Sequence, residues 1–224
     1  MHQIPSPGPM PVEAEQWRSD INLSLFVNTY YQYRDLQRLG LSGKRILVVG
    51  SGQGLDALVY RWKGYDVTTF DIDNAFEPDV TGSVHDLSQF DDRSFDAVVA
   101  SHVLEHLPEP FLDKALAEIA RVGSAALVYL PVHGRHLQIR FKPGFKGVDL
   151  SFVLDMFNYL ESPSGVTPQY MEGQHYWEVG MRGFRVKDLR RRFQQNFEVL
   201  SCYRNKDWLP SQNFVLLSKC SRDK

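Results

Sequence analysis

Short apolar runs set off by glycines and acidic residues recur through the middle of this chain: RILVV at 45–49, VTTF at 67–70, FDAVVA at 95–100 and AALVYL at 125–130. Each is brief and nearly continuous in hydrophobicity, the pattern of strands buried on both faces of a parallel sheet. Between them the apolar spacing turns helical, predicting helices over 55–63, ending near Gly64, and over 111–121. Upstream, Trp17, Ile21, Leu25, Tyr30, Tyr31, Leu36 and Leu39 predict one or two helices across 12–39 that stop at Gly40. Strands alternating with helices imply right-handed crossovers and a doubly wound α/β sheet. The end of the chain departs from this rhythm. A helix over 185–195 precedes strands at 197–203 and 213–218, and the turn between them carries Asn205, Asp207 and Pro210. That order predicts a terminal antiparallel hairpin on a mostly parallel sheet.

More than fifty residues separate the strand at 125–130 from the helix at 185–195, against roughly two to six in an ordinary connection of this kind. The excess is an insertion over about 131–182 with a helix expected in DLSFVLDMFNYLES. Its place after the carboxyl end of a sheet strand, its aromatics, and the basic Arg135, Arg140, Lys142 and Lys146 suit a substrate-covering lid. A dimerisation or packing arm, pairing two copies through the insertion, is the alternative. Tyr176, Trp177, Phe141, Phe145 and Phe157 are candidate walls of an acceptor pocket.

Composition narrows the class. At 224 residues, 43% hydrophobic and 12% aromatic, the chain suits one domain over 12–224 with a helical cap at 12–40. Residues 1–11, MHQIPSPGPMP, lack the basic and apolar regions of a signal peptide and are expected to form a disordered leader. No apolar run approaches the roughly 20 residues that span a bilayer, so no membrane partner is expected and the cytoplasm is the default location. A formal net charge of −2 gives no general attraction to nucleic acid. Cys202 and Cys220 are too few for a disulfide framework and read as small buried hydrophobes.

Candidate chemistry begins where the first strand ends. GSGQG at 50–54 is a glycine turn, and Asp71 closes the second strand. Glycines allow backbone N–H groups close to a ligand, and a carboxylate on the neighbouring strand can take a pair of ribose hydroxyls. A dinucleotide fingerprint requires a third small residue three positions after Gly52, where this chain has Leu55. A nucleoside cofactor without phosphates fits better. His102, His106, His133, His136 and His175 are candidate general bases, with His102 and His133 best placed, each just beyond a strand's carboxyl end. HGRH at 133–136 and HYWE at 175–178 can be set together as metal ligands, but their spacing matches no closed site and no metal is expected.

RILVVGSGQG, FDID, HDL and FDAVVASHVLEHLPEP, in this order and at these separations, resemble the motifs of the class I S-adenosylmethionine-dependent methyltransferases of the small-molecule type. The resemblance covers about 43–130 and, more loosely, the terminal hairpin. It implies a Rossmann-like methyltransferase fold with a seven-stranded sheet, and S-adenosyl-L-methionine as cofactor. It also implies roles: Gly50, Ser51, Gly52 and Gly54 along the methionine portion, Asp71 on the ribose hydroxyls, and Ile72 against the adenine. Asp86 would accept from the adenine amino group, the Leu87 N–H would meet the ring, and Ser101 and His102 would lie beside the sulfonium. His106, within VLEHLP, corresponds to a brace of the loop after the fourth strand. The family commonly has an acidic residue where this chain has Val48. Tyr30, Tyr31 or Arg34 of the cap are candidates to replace it, Arg34 as a two-pronged donor to the methionine carboxylate.

The resulting expectation is methyl transfer to oxygen or nitrogen of a small molecule, with a sugar, glycoconjugate or secondary metabolite as first acceptor class. A cofactor-binding regulator or inactive homologue, suggested by Val48, and a protein or RNA methyltransferase are the alternatives.

Overall fold

The computed structural model describes residues 23–41, 44–141, 150–156, 175–205 and 211–219. Nine strands and four α-helices are formed among them: α1 (Leu23–Arg38), β1 (Arg45–Val49), α2 (Leu55–Trp62), β2 (Asp66–Asp71), β3 (Val80–Thr81), β4 (Phe95–Ser101), α3 (Glu109–Val122), β5 (Gly123–Pro131), β6 (Arg135–Phe141), β7 (Leu150–Met156), α4 (Val186–Asn196), β8 (Phe197–Arg204) and β9 (Ser211–Ser218). Seven strands make one sheet in the order β3-β2-β1-β4-β5-β9-β8. From β3 to β5 all neighbours are parallel, and β9 runs antiparallel to both β5 and β8. The expected architecture, doubly wound and mostly parallel with a reversed terminal hairpin, is present.

The chain leaves β1 toward β2 on one side and later enters β4 on the other. The strand order therefore reverses between β1 and β4, and the crevice at their carboxyl ends is where open sheets of this kind take ligands. Two apolar layers flank the sheet. On one face Leu36 of α1 and Ala57 and Tyr60 of α2 pack on Ile46, Val48, Val99 and Leu127. On the other, Leu112, Leu116 and Ile119 of α3 and Leu189 and Phe193 of α4 pack on Leu47, Val98, Val128 and Leu216. Strand residues thus alternate between two buried faces, which is why β1 and β4 show no polar alternation.

Local signals set the helix ends. α2 closes on Gly64 at φ 85°, with Gly64 N–H donating to Arg61 O and Tyr65 N–H to Tyr60 O, both at 3.0 Å. This is the paired 5→2 and 6→1 bonding that a left-handed glycine permits. α3 buries Leu112, Ala115, Leu116, Ile119 and Ala120, one stripe at helical spacing.

Polar contacts fix what apolar packing leaves loose. Asp35 of α1, 1% exposed, receives the Tyr129 hydroxyl of β5 at 2.7 Å, the Tyr203 hydroxyl of β8, and the Arg34 guanidinium at 3.1 Å. Burial, with the Tyr203 and Asp35 charges, pushes the Tyr129 hydroxyl far above the usual tyrosine range. On the opposite face Glu118 and Arg121 of α3 hold the segment after β3. Leu87 N–H donates to Glu118 Oε2 at 2.9 Å, and Arg121 donates to Leu87 O and Phe90 O at 2.9 and 2.8 Å.

The insertion differs from expectation. Residues 150–156 form β7, antiparallel to β6, where a helix was expected over 149–162; 157–162 lie outside the described residues. Leu150, Phe152, Val153 and Leu154 fit either period over so short a run, and pairing with the β-branched and aromatic β6 decides it. Trp177 differs as well. It is 1% exposed, stacks on Phe184 at 4.6 Å and donates its Nε1–H to Leu107 O at 3.1 Å, so it anchors the returning chain in the core and lines no acceptor pocket. Among the described residues no helix is long and apolar enough to cross a membrane.

Two outcomes are expected of these polar anchors. Asp35→Ala leaves the buried Tyr129 hydroxyl without its acceptor and should cost about 1–3 kcal/mol in urea unfolding, whereas Arg38→Ala, at a side chain 66% exposed, should change stability by less than about 0.5 kcal/mol. The Glu118 carboxyl is held below its ordinary value of 4.5, chiefly by the Arg121 hydrogen bonds. Its stabilisation is full above that value and is lost as pH falls through the lowered folded one. The stability gap between the native chain and Glu118→Gln, followed by unfolding at stepped pH, should therefore close on acidification.

Candidate functional site

The crevice is built from backbone first. Past β1, Gly50 N–H donates to Phe70 O at 2.7 Å and Gly54 N–H to Ser51 O at 2.8 Å, folding residues 50–54 into a compact turn. Gly50, Gly52 and Gly54 hold φ of 63°, 46° and 73°, left-handed values that side chains resist. A Cβ on Gly50 would stand 2.2 Å from Val103 Cγ2, while Gly52 and Gly54 face open space. Asp71, 7% exposed, ends β2 beside this turn. Its Oδ2 accepts from Gly52 N–H at 2.9 Å and its Oδ1 from Asp73 N–H at 3.0 Å. Each carboxylate oxygen keeps a second lone pair, so the pair can still take the two hydroxyls of a vicinal diol. A cleft of about 450 Å³ reaches the turn from the α1 and α2 face, between Phe26, Gly52, Leu58, Thr69 and Phe76.

Further along the sheet edge the expected adenine contacts fare unequally. Ile72 is half-buried next to Asp71. Asp86 is exposed and accepts from Ser88 N–H at 3.3 Å. The Leu87 N–H, expected on the ring, is taken by Glu118, and Leu87 itself is fully buried in the core. That contact is therefore closed unless Glu118 moves.

On the cap, Tyr31 is half-buried and Arg34 lies over the Tyr31 and Tyr203 rings at 4.3 and 5.0 Å. With Asp35 also on the guanidinium, Arg34 serves α1's attachment, and a cofactor carboxylate would have to compete for it. Val48 is 1% exposed and packs in the apolar layer under α1 and α2.

The exit of β4 carries the densest chemistry. Ser101 ends the strand half-buried, and His102 follows at φ 55°, its N–H donating to Tyr129 O at 2.9 Å. A short 3-10 turn, Leu104–His106, then turns Glu105 inward to 0% exposure. Returning from the insertion, residues 175–179 run alongside: Tyr176 N–H donates to Glu105 O at 2.8 Å, and Val179 pairs with Val132 past β5. Three imidazoles thereby surround Glu105. His102 Nδ1 lies 3.5 Å and His175 Nε2 3.8 Å from Glu105 Oε1, ion-pair distances too long for hydrogen bonds, and His106 packs edge-on against His175 at 4.8 Å. A second carboxylate, Glu178, bonds two histidines at once, His175 Nδ1 at 2.7 Å and His133 Nδ1 at 2.9 Å.

The electrostatics follow from this crowding. Burial would raise the Glu105 carboxyl, but the His102, His106 and His175 rings hold it below the ordinary range. Burial pushes His106 down toward the neutral form. It opposes the charge on His175 too, yet the Glu178 hydrogen bond and the two carboxylates outweigh it and raise His175. Glu178 is lowered, first by its bond to His175. Sequence alone does not single out Glu105: His102 and His106 are near it, but His175 lies seventy positions away, and the apolar VL and LP around it point to a buried turn and not to a carboxylate at the centre of a histidine cluster. His133 and His175 come together as HGRH and HYWE suggested, while the side chain of His136 lies outside the described residues.

A family model described as a methyltransferase domain matches residues 47–125, from within β1 to the start of β5. No curated protein matches the chain. Similar solved structures include the Burkholderia thailandensis 1,6-didemethyltoxoflavin-N1-methyltransferase, with bound 1,6-didemethyltoxoflavin and S-adenosylhomocysteine, at 16% identity and a TM-score of 0.54 over 95% of this chain and 92% of that one. The glycopeptide N-methyltransferase MtfA, complexed with sinefungin, is 14% identical with a TM-score of 0.54, over 85% of this chain and 94% of its own. At such identities the likeness speaks for the fold, and the matched segment for the activity. The glycine turn, Asp71 and the β4 exit all fall inside that segment, on a sheet ordered about the same crevice: residues 47–125 match a methyltransferase domain at the place where the fold takes its ligand.

Proposed function

We propose that the chain methylates an oxygen or nitrogen of a small molecule, with a sugar, glycoconjugate or secondary metabolite as the acceptor class. The observation that carries this reading is the pairing of histidine with carboxylate at the crevice, His133 with Glu178 at 2.9 Å and His102 beside Glu105 at 3.5 Å. At His133 a carboxylate on Nδ1 fixes the ring and leaves Nε2 to accept a proton from an acceptor hydroxyl or ammonium. The similar structures named above are methyltransferases of 1,6-didemethyltoxoflavin and of a glycopeptide, which agrees with a small-molecule acceptor. Exposed Leu137, Ile139 and Phe141 alternate along β6 and supply an apolar face in the insertion.

When bound, the cofactor supplies a methyl group on a sulfonium for in-line displacement. The residues of the chain align and exclude water, and one of them takes the acceptor's proton. In this reading Gly50, Ser51, Gly52 and Gly54 border the methionine portion and Asp71 binds the ribose diol, with Ile72 and Asp86 at the adenine, Ser101 and His102 near the sulfonium, and Tyr31 on the cap side. His102 or His133 is the base. The two free lone pairs of Asp71 and the open space above Gly52 and Gly54 fit the group.

Asp71→Ala should weaken cofactor binding in calorimetry by about 1.5–3 kcal/mol, the range for hydrogen bonds to a charged group, with far-UV circular dichroism unchanged; normal affinity would remove Asp71 from the ribose site. His102 occupies a left-handed conformation that glycine adopts without strain. His102→Gly should therefore keep stability within about 1 kcal/mol while turnover falls roughly 100-fold or more if this ring takes the proton. Unchanged turnover would pass the role to His133.

A further inference from the structure

Glu105 is the one fully buried carboxylate among the described residues whose two oxygens both lack a hydrogen-bond partner. Leaving a carboxylate in this condition is costly, so its surroundings ask for a cation. They also supply ligands. Glu105, His106 and His175 each offer one donor atom, and the three atoms lie within 4.8 Å of one another. His106 Nδ1 is buried and unpartnered. His175 has Nδ1 committed to Glu178 at 2.7 Å and so presents Nε2 toward Glu105.

We propose that Glu105, His106 and His175 bind one divalent transition-metal cation of the Zn²⁺ type, with Glu178 orienting His175 from behind. Two imidazoles and a carboxylate are a nitrogen–oxygen donor set that suits zinc or iron and leaves coordination positions open. A carboxylate on the far nitrogen of a ligating histidine is the usual outer support of such a site, since it fixes the tautomer and raises basicity. Glu178 has that place here, and it extends the support to His133. Tetrahedral coordination requires donor atoms about 3.3 Å apart at ordinary zinc distances, so the three donors would draw together on a bound ion. The half-exposed His175, 27% accessible at its side chain, provides the way in. The inference is independent of the acceptor proposed above, because it concerns binding and not turnover.

The grouping differs from the one the sequence suggested. HGRH and HYWE supply His175, but the carboxylate ligand comes from the β4 exit, and Glu178 stands behind the site instead of in it.

The test is metal binding by the full chain after chelator treatment and dialysis. Co²⁺ is titrated with visible absorption as the readout, then displaced by Zn²⁺, and bound zinc is counted by mass spectrometry. We expect one equivalent of either ion. His175→Ala and Glu105→Gln should each weaken binding at least about 100-fold, Glu178→Gln about 10- to 100-fold, and His85→Ala, at a histidine outside the cluster, not at all. Circular dichroism accompanies each variant. If Glu105→Gln fails to fold, the partly exposed His175 carries the test alone. Failure of the native chain to take up Co²⁺ or Zn²⁺, uptake unaffected by His175→Ala, or equal losses in His85→Ala would overturn the proposal.

Discussion

Where β1 leaves the sheet at Gly50, the backbone passes so close to Val103 that no side chain can be placed between them. This close approach holds the crevice together. It presses the glycine turn against the exit of β4, while the Gly52 N–H bond to Asp71 ties the same turn to the end of β2. Three parallel strands are thus joined at their carboxyl ends through the glycine turn, and the side chains that bear chemistry are placed around it. Were a methyl group added at Gly50, Val103 at the β4 exit would have to give way.

A second organising element is the pair of carboxylates that receive the histidines. Glu105 comes from the strand side and Glu178 from the chain returning out of the insertion, so the cluster is assembled only when the two are folded together. Trp177, between His175 and Glu178 in sequence, does the fastening by packing on Phe184 and donating to Leu107 O. A core contact thereby sets the position of polar groups on both sides of it.

What could be read from the sequence divides along physical lines. β1, β4 and β5 announce themselves because a strand buried on both faces must be apolar throughout, and the glycine turn with Asp71 is legible because it requires particular residues at short spacing. β7 misleads: its apolar positions suit a helix as well as a strand, and only β6 beside it decides. Leu87 is expected at the cofactor from motif position and Arg34 as a substitute for the acid missing at Val48, but Glu118 and Asp35 engage them first. Both competitors are tertiary partners, invisible to local pattern. Glu105 is hidden for the same reason, since nothing near it in sequence reports the histidine from the far side of the insertion.

The manner in which α1 is joined to the sheet has its own consequence. Grease alone would let a helix slip by a fraction of a turn at little cost, but Asp35 takes two tyrosine hydroxyls and a guanidinium in fixed directions. Roll and translation are then set together, and the rim that α1 contributes to the mouth of the enzyme inherits the rigidity of β5 and β8.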